Sequence, residues 1–270
     1  MLGTVTVLRR YPVKSMLGED LDAAEVSRSG LARDRRLAVV SRRTGKVASA
    51  KYPRLWRDML TLSAEALDDA ARIRLPDGKT VSSTDPGVDE VLSAVLGQPV
   101  TLTDTPPPGA TLDRAVPEAV LRDGIKAQVA ATLIEIGAAA PPGTFVDFAP
   151  LHLITTATLE HLGQDAIRYR PNLVIRTPPG HPPFAENDWV GRTAGIGDAV
   201  VARIVLPTPR CAIPTLEHGP LPRDPAALRS LMAQNRVEVP GFGVLPAAGV
   251  YALVERSGPV GVGATFDVAA

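Results

Sequence analysis

The first hundred residues contain several short stretches in which apolar and polar positions alternate. Residues 5–11 alternate valine with other residue types, as a half-buried strand does. An apolar run at 37–40 and a returning segment at 46–49 flank a Thr-Gly turn. The alternating segment 72–75 leads into an Asp-Gly pair, which is a strong hairpin signal. The pattern therefore predicts that this part of the chain is built mainly from short strands.

Apolar residues recur with helical spacing in only a few places. Each of these segments begins at a side chain that caps helices, and two continue with a proline, which suits the first helical position. Two end at a glycine, which favours the backbone conformation that closes a helix. The predicted helices run from an Asp85 cap to Gly97, from a Thr156 or Thr158 cap to Gly163, and from an Asp224 cap through Met232.

The second half of the chain again consists mostly of apolar runs of strand length. They lie at 151–154, 172–175, 199–205, 250–254 and 261–266. Many short strands and few helices predict an α+β fold that is rich in β-barrel structure. Because the proline-rich stretch 105–109 has the composition of a linker, we predict one domain over 1–103, a linker over 104–118 and a second domain over 119–270.

Composition excludes several classes of function. Lysines and arginines (29) equal aspartates and glutamates (29), so no overall charge gathers nucleic acid or an anionic membrane. No apolar run is long enough to span a bilayer, and the N-terminus becomes charged at Arg9 before a signal-peptide core can form. With one cysteine and no export signal, a cytoplasmic location is expected.

Familiar catalytic motifs are absent from the sequence. It has no glycine-rich dinucleotide or phosphate-loop motif and no Gly-x-Ser-x-Gly elbow. The histidines show no metal-ligand spacing, and His152, which lies in an apolar run, is interpreted as a core residue. Hydrolase and nucleotide-phosphate functions therefore have little support.

The single cysteine, Cys211, is the strongest candidate for chemistry. One cysteine builds neither a disulfide framework nor a zinc knuckle. It is therefore a buried small hydrophobe, a reactive thiol, or one soft ligand to a metal whose other ligands come from a cofactor. Arg210 directly before it favours the thiolate, and prolines on both sides stiffen the segment.

Three other segments place cations and small polar groups in apolar, strand-like surroundings. They are the segment 11–15, which ends in Lys14-Ser15, the arginine-rich segment 30–36 and the segment 168–172. A lysine beside a serine offers a charge and a hydroxyl to a phosphate, while arginine offers a planar pair of donors. Each segment alone is also typical of a solvated charge, and it is their occurrence together with Cys211 that indicates a site.

A series of motifs, in order along nearly the whole chain, resembles the MOSC proteins, a family named for the C-terminal domain of molybdenum cofactor sulfurase. In the first half these are Tyr-Pro-Val-Lys-Ser-x-x-Gly-Glu and Gly-Leu-x-x-Asp-Arg. In the second half they are Phe-Val-Asp, Leu-Ile-Thr-Thr-Ala-Thr-Leu, Arg-Pro-Asn, Arg-Cys and Gly-x-Tyr-x-x-Val. The resemblance implies a MOSC N-terminal β-barrel domain followed by a MOSC domain, as in the amidoxime-reducing members of the family.

The resemblance also implies a cofactor and the residues that hold it. The cofactor is the molybdenum cofactor, molybdopterin, and pyridoxal phosphate is not expected. Cys211 corresponds to the thiolate that ligates molybdenum. The corresponding cofactor-binding residues are Lys14, Ser15 and Arg35 in the first half, and Thr155, Thr156, Arg170, Asn172 and Arg210 in the second.

The reaction implied is reduction of small N-hydroxylated or N-oxide compounds. Since one cysteine and no glycine-rich turn leave no iron–sulfur, flavin or nicotinamide site, electrons are expected from a separate protein of the ferredoxin or flavin type. The segment 216–219 after Cys211 departs from the family pattern on the substrate side. Two alternatives stay open: a sulfur carrier or transferase with a persulfide on Cys211, and a non-catalytic cofactor-binding protein.

Overall fold

A computed structural model describes residues 1–136 and 143–269. Within these ranges the helices are short: α1 Pro53–Trp56, α2 Val88–Leu96, α3 Pro117–Asp123, α4 Thr156–Leu162 and α5 Ala226–Gln234. The strands are β1 Gly3–Arg10, β2 Glu19–Asp20, β3 Ala23–Ser27, β4 Gly30–Leu31, β5 Ala38–Ser41, β6 Ser63–Ala66, β7 Ala71–Arg74, β8 Thr80–Ser82, β9 Val100–Thr103, β10 Thr111–Ala115, β11 Ala131–Glu135, β12 Leu151–Thr155, β13 Leu173–Arg176, β14 Thr193–Ile196, β15 Val200–Pro209, β16 Arg236–Val239, β17 Gly243–Arg256, β18 Gly258–Gly261 and β19 Thr265–Val268.

Seven strands close into a barrel in the order β12-β13-β1-β19-β14-β15-β17, and β17 pairs with β12 to complete the ring. The pairing of β12 with β13 is parallel, and the other pairings of the ring are antiparallel. Closure removes exposed strand edges and fills the interior with alternate side chains. The core inside includes Val5, Leu8, Leu153, Ile204 and Phe266.

The first strand of the chain lies in this barrel, although every other strand of the ring comes after residue 150. β1 sits between β13 and β19, with Leu8 opposite Leu173. The predicted linker contains β10, which pairs with β11 as a hairpin. The domain boundary at 104–118 stays a prediction about chain organisation.

A second apolar core lies among the smaller sheets and helices of the first hundred residues. The pair β5-β9 and the sheet β6-β7-β8 pack with α1 and α2. Trp56, Met59, Ile73, Leu92 and Val100 are buried there. The hairpin predicted at the Asp-Gly pair forms between β7 and β8.

Several predicted element ends differ from the structure. Helix α2 begins at Val88, because the Asp85 carboxylate accepts the Ser82 N–H at 2.8 Å in the preceding turn. Helix α4 is capped by Thr155, whose hydroxyl accepts the Thr158 N–H at 3.1 Å. The run at 46–49 makes only an isolated bridge through Val47.

The fold class agrees with the sequence. The chain is a β-rich α+β protein with a closed seven-stranded barrel and, in the described ranges, five short helices, as predicted. None of the described helices has the length and apolar character needed to cross a bilayer.

Candidate functional site

One cavity of about 410 Å³ collects side chains from both halves of the chain. Its volume is in the range of small-molecule pockets. Strands β10, β11 and β12 and the loops next to β1, β5, β12, β13 and β15 contribute its polar groups. The charged and polar lining residues are Lys14, Ser15, Arg35, Ser49, Lys51, Arg114, Thr132, Glu135, Asp147, His152, Arg170 and Arg210, and Cys211 lies among them.

Cations outnumber carboxylates on this lining. The lysine and arginine groups are Lys14, Arg35, Lys51, Arg114, Arg170 and Arg210, whereas the acids are Glu135 and Asp147. The whole chain is balanced in charge, so the excess at this cavity is a local feature. A cavity with this lining attracts an anionic ligand.

Asp147 forms salt bridges with two of the lysines. The ammonium of Lys14 donates to Asp147 Oδ1 at 2.6 Å and to the Phe145 carbonyl at 2.7 Å, and Lys51 Nζ lies 2.9 Å from the same Oδ1. Although burial opposes ionisation, the two ammonium groups hold the pKa of Asp147 well below its usual range. Burial lowers the pKa of Lys14 to about 8, even with Asp147 beside it. Because one carboxylate pairs with two ammonium groups, this part of the lining keeps a net positive charge.

Arg170 is a buried cation whose terminal nitrogens have no hydrogen-bond partner. It is 8% exposed, and both Nη1 and Nη2 are buried and unpaired within the described structure. Its guanidinium carbon lies 4.2 Å from the centre of the Tyr11 ring, and Arg35 lies 4.7 Å from the same ring. Burial lowers the pKa of Arg170 to about 10. Buried groups without partners in a cavity are typical of a ligand-binding position.

Backbone strain concentrates at the same cavity. Five described residues other than glycine have positive φ, and three of them line it: Ser15 at 64°, Arg35 at 48° and Arg170 at 56°. This left-handed conformation is unfavourable for residues with a Cβ, and the surrounding structure must impose it. Such residues cluster at functional sites because the strain aims their side chains.

Asn172 holds the arginine side of the cavity in place without lining it. It is 1% exposed, and its Oδ1 accepts from Arg35 Nη1 at 3.3 Å and from the His152 N–H at 3.2 Å. Its Nδ2 donates to Asp34 Oδ2 and to the Arg9 carbonyl, both at 3.2 Å. Asp34 also pairs with Arg35. This network orients Arg35 toward the cavity.

Cys211 follows β15 and lines the cavity while packing against an apolar floor. It is 7% exposed and contacts a small core cluster that includes Leu60, Ile213 and Leu216. The preceding Arg210 donates from Nη2 to the Tyr169 carbonyl at 2.7 Å, and its Nε is buried and unpaired. Cys211 is therefore nearly buried, with apolar neighbours on one side and the cavity on another.

Six of the predicted site residues line the cavity together. They are Lys14, Ser15, Arg35, Arg170, Arg210 and Cys211. Thr155 and Thr156 do not. Thr155 is fully buried and bonds Glu186 and the start of α4, and Thr156 lies in a separate surface groove beside Arg176. The binding roles predicted for all nine residues stay predictions.

Several lining residues were not predicted from the sequence. His152, predicted as a core residue, is 4% exposed yet lines the cavity, and burial holds its pKa well below the usual range. Its ring nitrogens lie 3.3 Å from the Arg170 and Ala248 carbonyls. Asp147 belongs to the Phe-Val-Asp motif, so the sequence contained a feature from which its place at the site could have been predicted. Other unpredicted lining residues are Lys51, Arg114, Phe148, Phe242 and Tyr251.

Comparisons with known proteins agree with this picture of the chain. Residues 2–96 match the family described as the MOSC N-terminal beta barrel domain. The mitochondrial amidoxime-reducing component 1 of Mus musculus is 28% identical, over 97% of this chain and 81% of its own length. The structure of YiiM from Geobacillus stearothermophilus aligns over 45% of this chain and 55% of its own, at 15% identity and a TM-score of 0.31, which is too low to support a conclusion. Residues 2–96 therefore resemble the MOSC N-terminal beta barrel domain, and most of the chain resembles the amidoxime-reducing component.

Proposed function

We propose that this protein is a molybdenum-cofactor-dependent oxidoreductase that reduces small N-hydroxylated or N-oxide compounds. The observation that carries the proposal is the meeting of Cys211 with unpaired, buried cationic groups from both halves of the chain in one cavity. The similarity to an amidoxime-reducing component supports the choice of reaction.

The residues present fit the cofactor. The unpaired Nη1 and Nη2 of Arg170, with Lys14 and the hydroxyl of Ser15, suit a phosphate group. Cys211 offers a soft thiolate to a thiophilic metal. Among residues 1–136 and 143–269, no three His, Cys, Asp or Glu side chains group as a metal site, so the remaining ligands would come from the cofactor. When bound, molybdenum would supply the redox chemistry.

The protein's own residues would bind and orient the cofactor. Lys14, Arg35 and Arg170 would hold its anionic end, and Asn172 keeps Arg35 in position. Cleavage of the N–O bond consumes a pair of electrons and a pair of protons and releases water. The electrons come from a separate protein of the ferredoxin or flavin type, since the single cysteine of the chain cannot hold an iron–sulfur cluster.

Metal content tests the cofactor assignment most directly. Protein produced in a host that makes the molybdenum cofactor should retain molybdenum, measured by mass spectrometry, and Cys211→Ala should lose it while staying folded. With a reduced viologen, the loaded protein should consume an amidoxime. Folded protein that carries a persulfide on Cys211 but no molybdenum would instead favour the sulfur-carrier function. Retained cofactor without turnover would favour a non-catalytic binder.

Two neighbouring arginines provide a matched control for the phosphate position. Arg168 is buried too, but it donates to the carbonyls of Pro214, Leu216 and Pro222. Arg170→Gln should therefore lower cofactor retention with little change in thermal stability. Arg168→Gln should lower thermal stability, while the folded fraction retains its cofactor. Equal retention in both folded variants would contradict the assignment of Arg170 to the cofactor.

A further inference from the structure

The cavity has two unlike sides. Its cationic side is the one that the proposed cofactor uses. The other side is apolar and is formed by Leu133 and Ile134 of β11 together with Phe148, Phe242 and Tyr251. A phosphate group is held by the cationic side, whereas the apolar side suits a planar, apolar group.

Aromatic rings on the apolar side form a continuous row. Phe242 meets Phe148 edge to face, with ring centres 6.1 Å apart. Phe148 lies 5.9 Å from Tyr251, which in turn lies 5.8 Å from the His152 ring. Only 4% of the chain is aromatic, so a row of this length at one cavity is a local concentration. Such rings favour stacked or edge contacts with another planar group.

The outer end of the row is exposed to solvent. Phe242 is 49% exposed and Leu133 is 55% exposed, and both line the cavity mouth. Val244, two residues after Phe242 in β17, is 52% exposed and lies outside the cavity lining. These are three of the seven exposed large hydrophobic residues in the described part of the chain. Apolar groups gathered at a pocket mouth are typical of a binding surface.

The inner end of the row lies near the thiol. Tyr251 and Cys211 line the same cavity, and Cys211 follows β15, whose Leu206 pairs with Tyr251 on β17. A planar ligand that enters along Phe242 and Phe148 is therefore directed toward Cys211. The cations on the facing side disfavour a positively charged ligand.

We propose that Leu133, Phe148 and Phe242, here called the aromatic rim, bind the planar apolar part of the substrate and make the protein select neutral aryl N-hydroxylated compounds over aliphatic or cationic ones. This inference rests on the proposed function for the reaction but not for the binding. The rim holds the ring, and the N–O group points toward Cys211.

A matched pair of substrates tests the selectivity. Benzamidoxime and acetamidoxime carry the same reacting group and differ in the aryl ring. With molybdenum-loaded protein and a reduced viologen, Phe242→Ala should lower kcat/KM for benzamidoxime about tenfold, equivalent to about 1.4 kcal/mol, and for acetamidoxime less than about twofold. Phe242→Leu should keep part of the preference. Val262→Ala, equally exposed at 51% but outside the cavity, should change neither.

Binding without turnover separates this inference from the proposed function. Calorimetric titration of benzamidoxime into the oxidised, loaded protein should show weaker binding for Phe242→Ala than for wild type. Weaker binding with no reduction by wild type would sustain the rim and refute the reductase. Reduction with unchanged aryl preference in Phe242→Ala would refute the rim alone. A defect seen only when a protein donor replaces the viologen would also overturn the inference, because the rim would then be a donor-docking surface.

Discussion

Lys14 should make anion affinity and stability respond to pH in opposite directions. Its side chain is only 5% exposed, and burial lowers its pKa to about 8 although Asp147 attracts the charge. Below pH 8 the ammonium is present and attracts an anion into the cavity. Above pH 8 the free protein loses that charge, so anion binding should weaken.

The size of both effects follows from that pKa. At pH 9.5, about 1.5 units above it, roughly 3% of Lys14 stays protonated, and sulfate affinity should fall about tenfold or more from its value at pH 7. The unfolded chain holds the proton up to its ordinary pKa of 10.5, so between these values the unfolded state binds more protons than the folded state. The free energy of unfolding should therefore rise with pH, by about 2 kcal/mol at pH 9.5.

The assay uses cofactor-free protein in a Cys211→Ser background, so that no thiol contributes. Sulfate, which stays fully ionised over this range, is titrated by calorimetry at pH 7 and pH 9.5, and urea unfolding gives the stability. Lys14→Met should bind sulfate weakly at both pH values and lose the stability increase. Lys126→Met, at an exposed position, should behave like the parent. A parent affinity that is flat with pH, or a stability that falls in the parent relative to Lys14→Met, would refute the reasoning.

Two further substitutions test the walls of the cavity. A methyl group at Gly249, where φ is 75°, would lie 2.6 Å from Nε2 of the buried His152. Gly249→Ala should therefore lower the melting temperature by more than Gly263→Ala, because Gly263 has a similar φ of 89° but open space around it. Equal effects of the two substitutions would contradict the clash. Asn172→Ala removes four hydrogen bonds at the cavity wall and should cost about 3 kcal/mol of stability as well as sulfate affinity. Asn235→Ala, a buried asparagine elsewhere, should cost stability only, and a matching loss of sulfate binding there would contradict the role of Asn172.

The residues that sequence could identify are those whose chemistry conflicts with their surroundings. Lys14 and Arg35 lie beside apolar strand segments, and Cys211 is the single thiol of the chain. A buried charge is costly and persists only with a partner or a use, so such positions are visible without a structure. The structure brings these residues to one cavity. The fold class was accessible for a similar reason, since the strand periodicity of β1, β12 and β15 is local information.

Other parts of the site depend on tertiary packing and carried no local signal. Phe148 and Phe242 are ordinary aromatic residues in sequence, and only the proximity of the β16–β17 turn to the loop before β12 makes them neighbours. Thr155 shows the reverse case, since its hydroxyl caps α4 and bonds the buried Glu186 instead of facing the cavity. A hydroxyl has several uses, and sequence does not show which of them the fold selects.

Arg168 and Arg170 show where the limit of sequence reasoning lies. Both are buried arginines, two residues apart, in a segment that sequence alone marks as polar within an apolar context. Arg168 meets the loop after Cys211 and satisfies three carbonyl groups there, so its charge stabilises that loop. Arg170, in the left-handed conformation, stacks on the Tyr11 ring, and its terminal nitrogens have no hydrogen-bond partner within the described structure. The same side chain type is paired at 168 and unpaired at its terminal nitrogens at 170 because, among residues 1–136 and 143–269, the carbonyl groups of the loop after Cys211 lie within reach of Arg168 and not of Arg170. That difference is set by residues more than forty positions away along the chain.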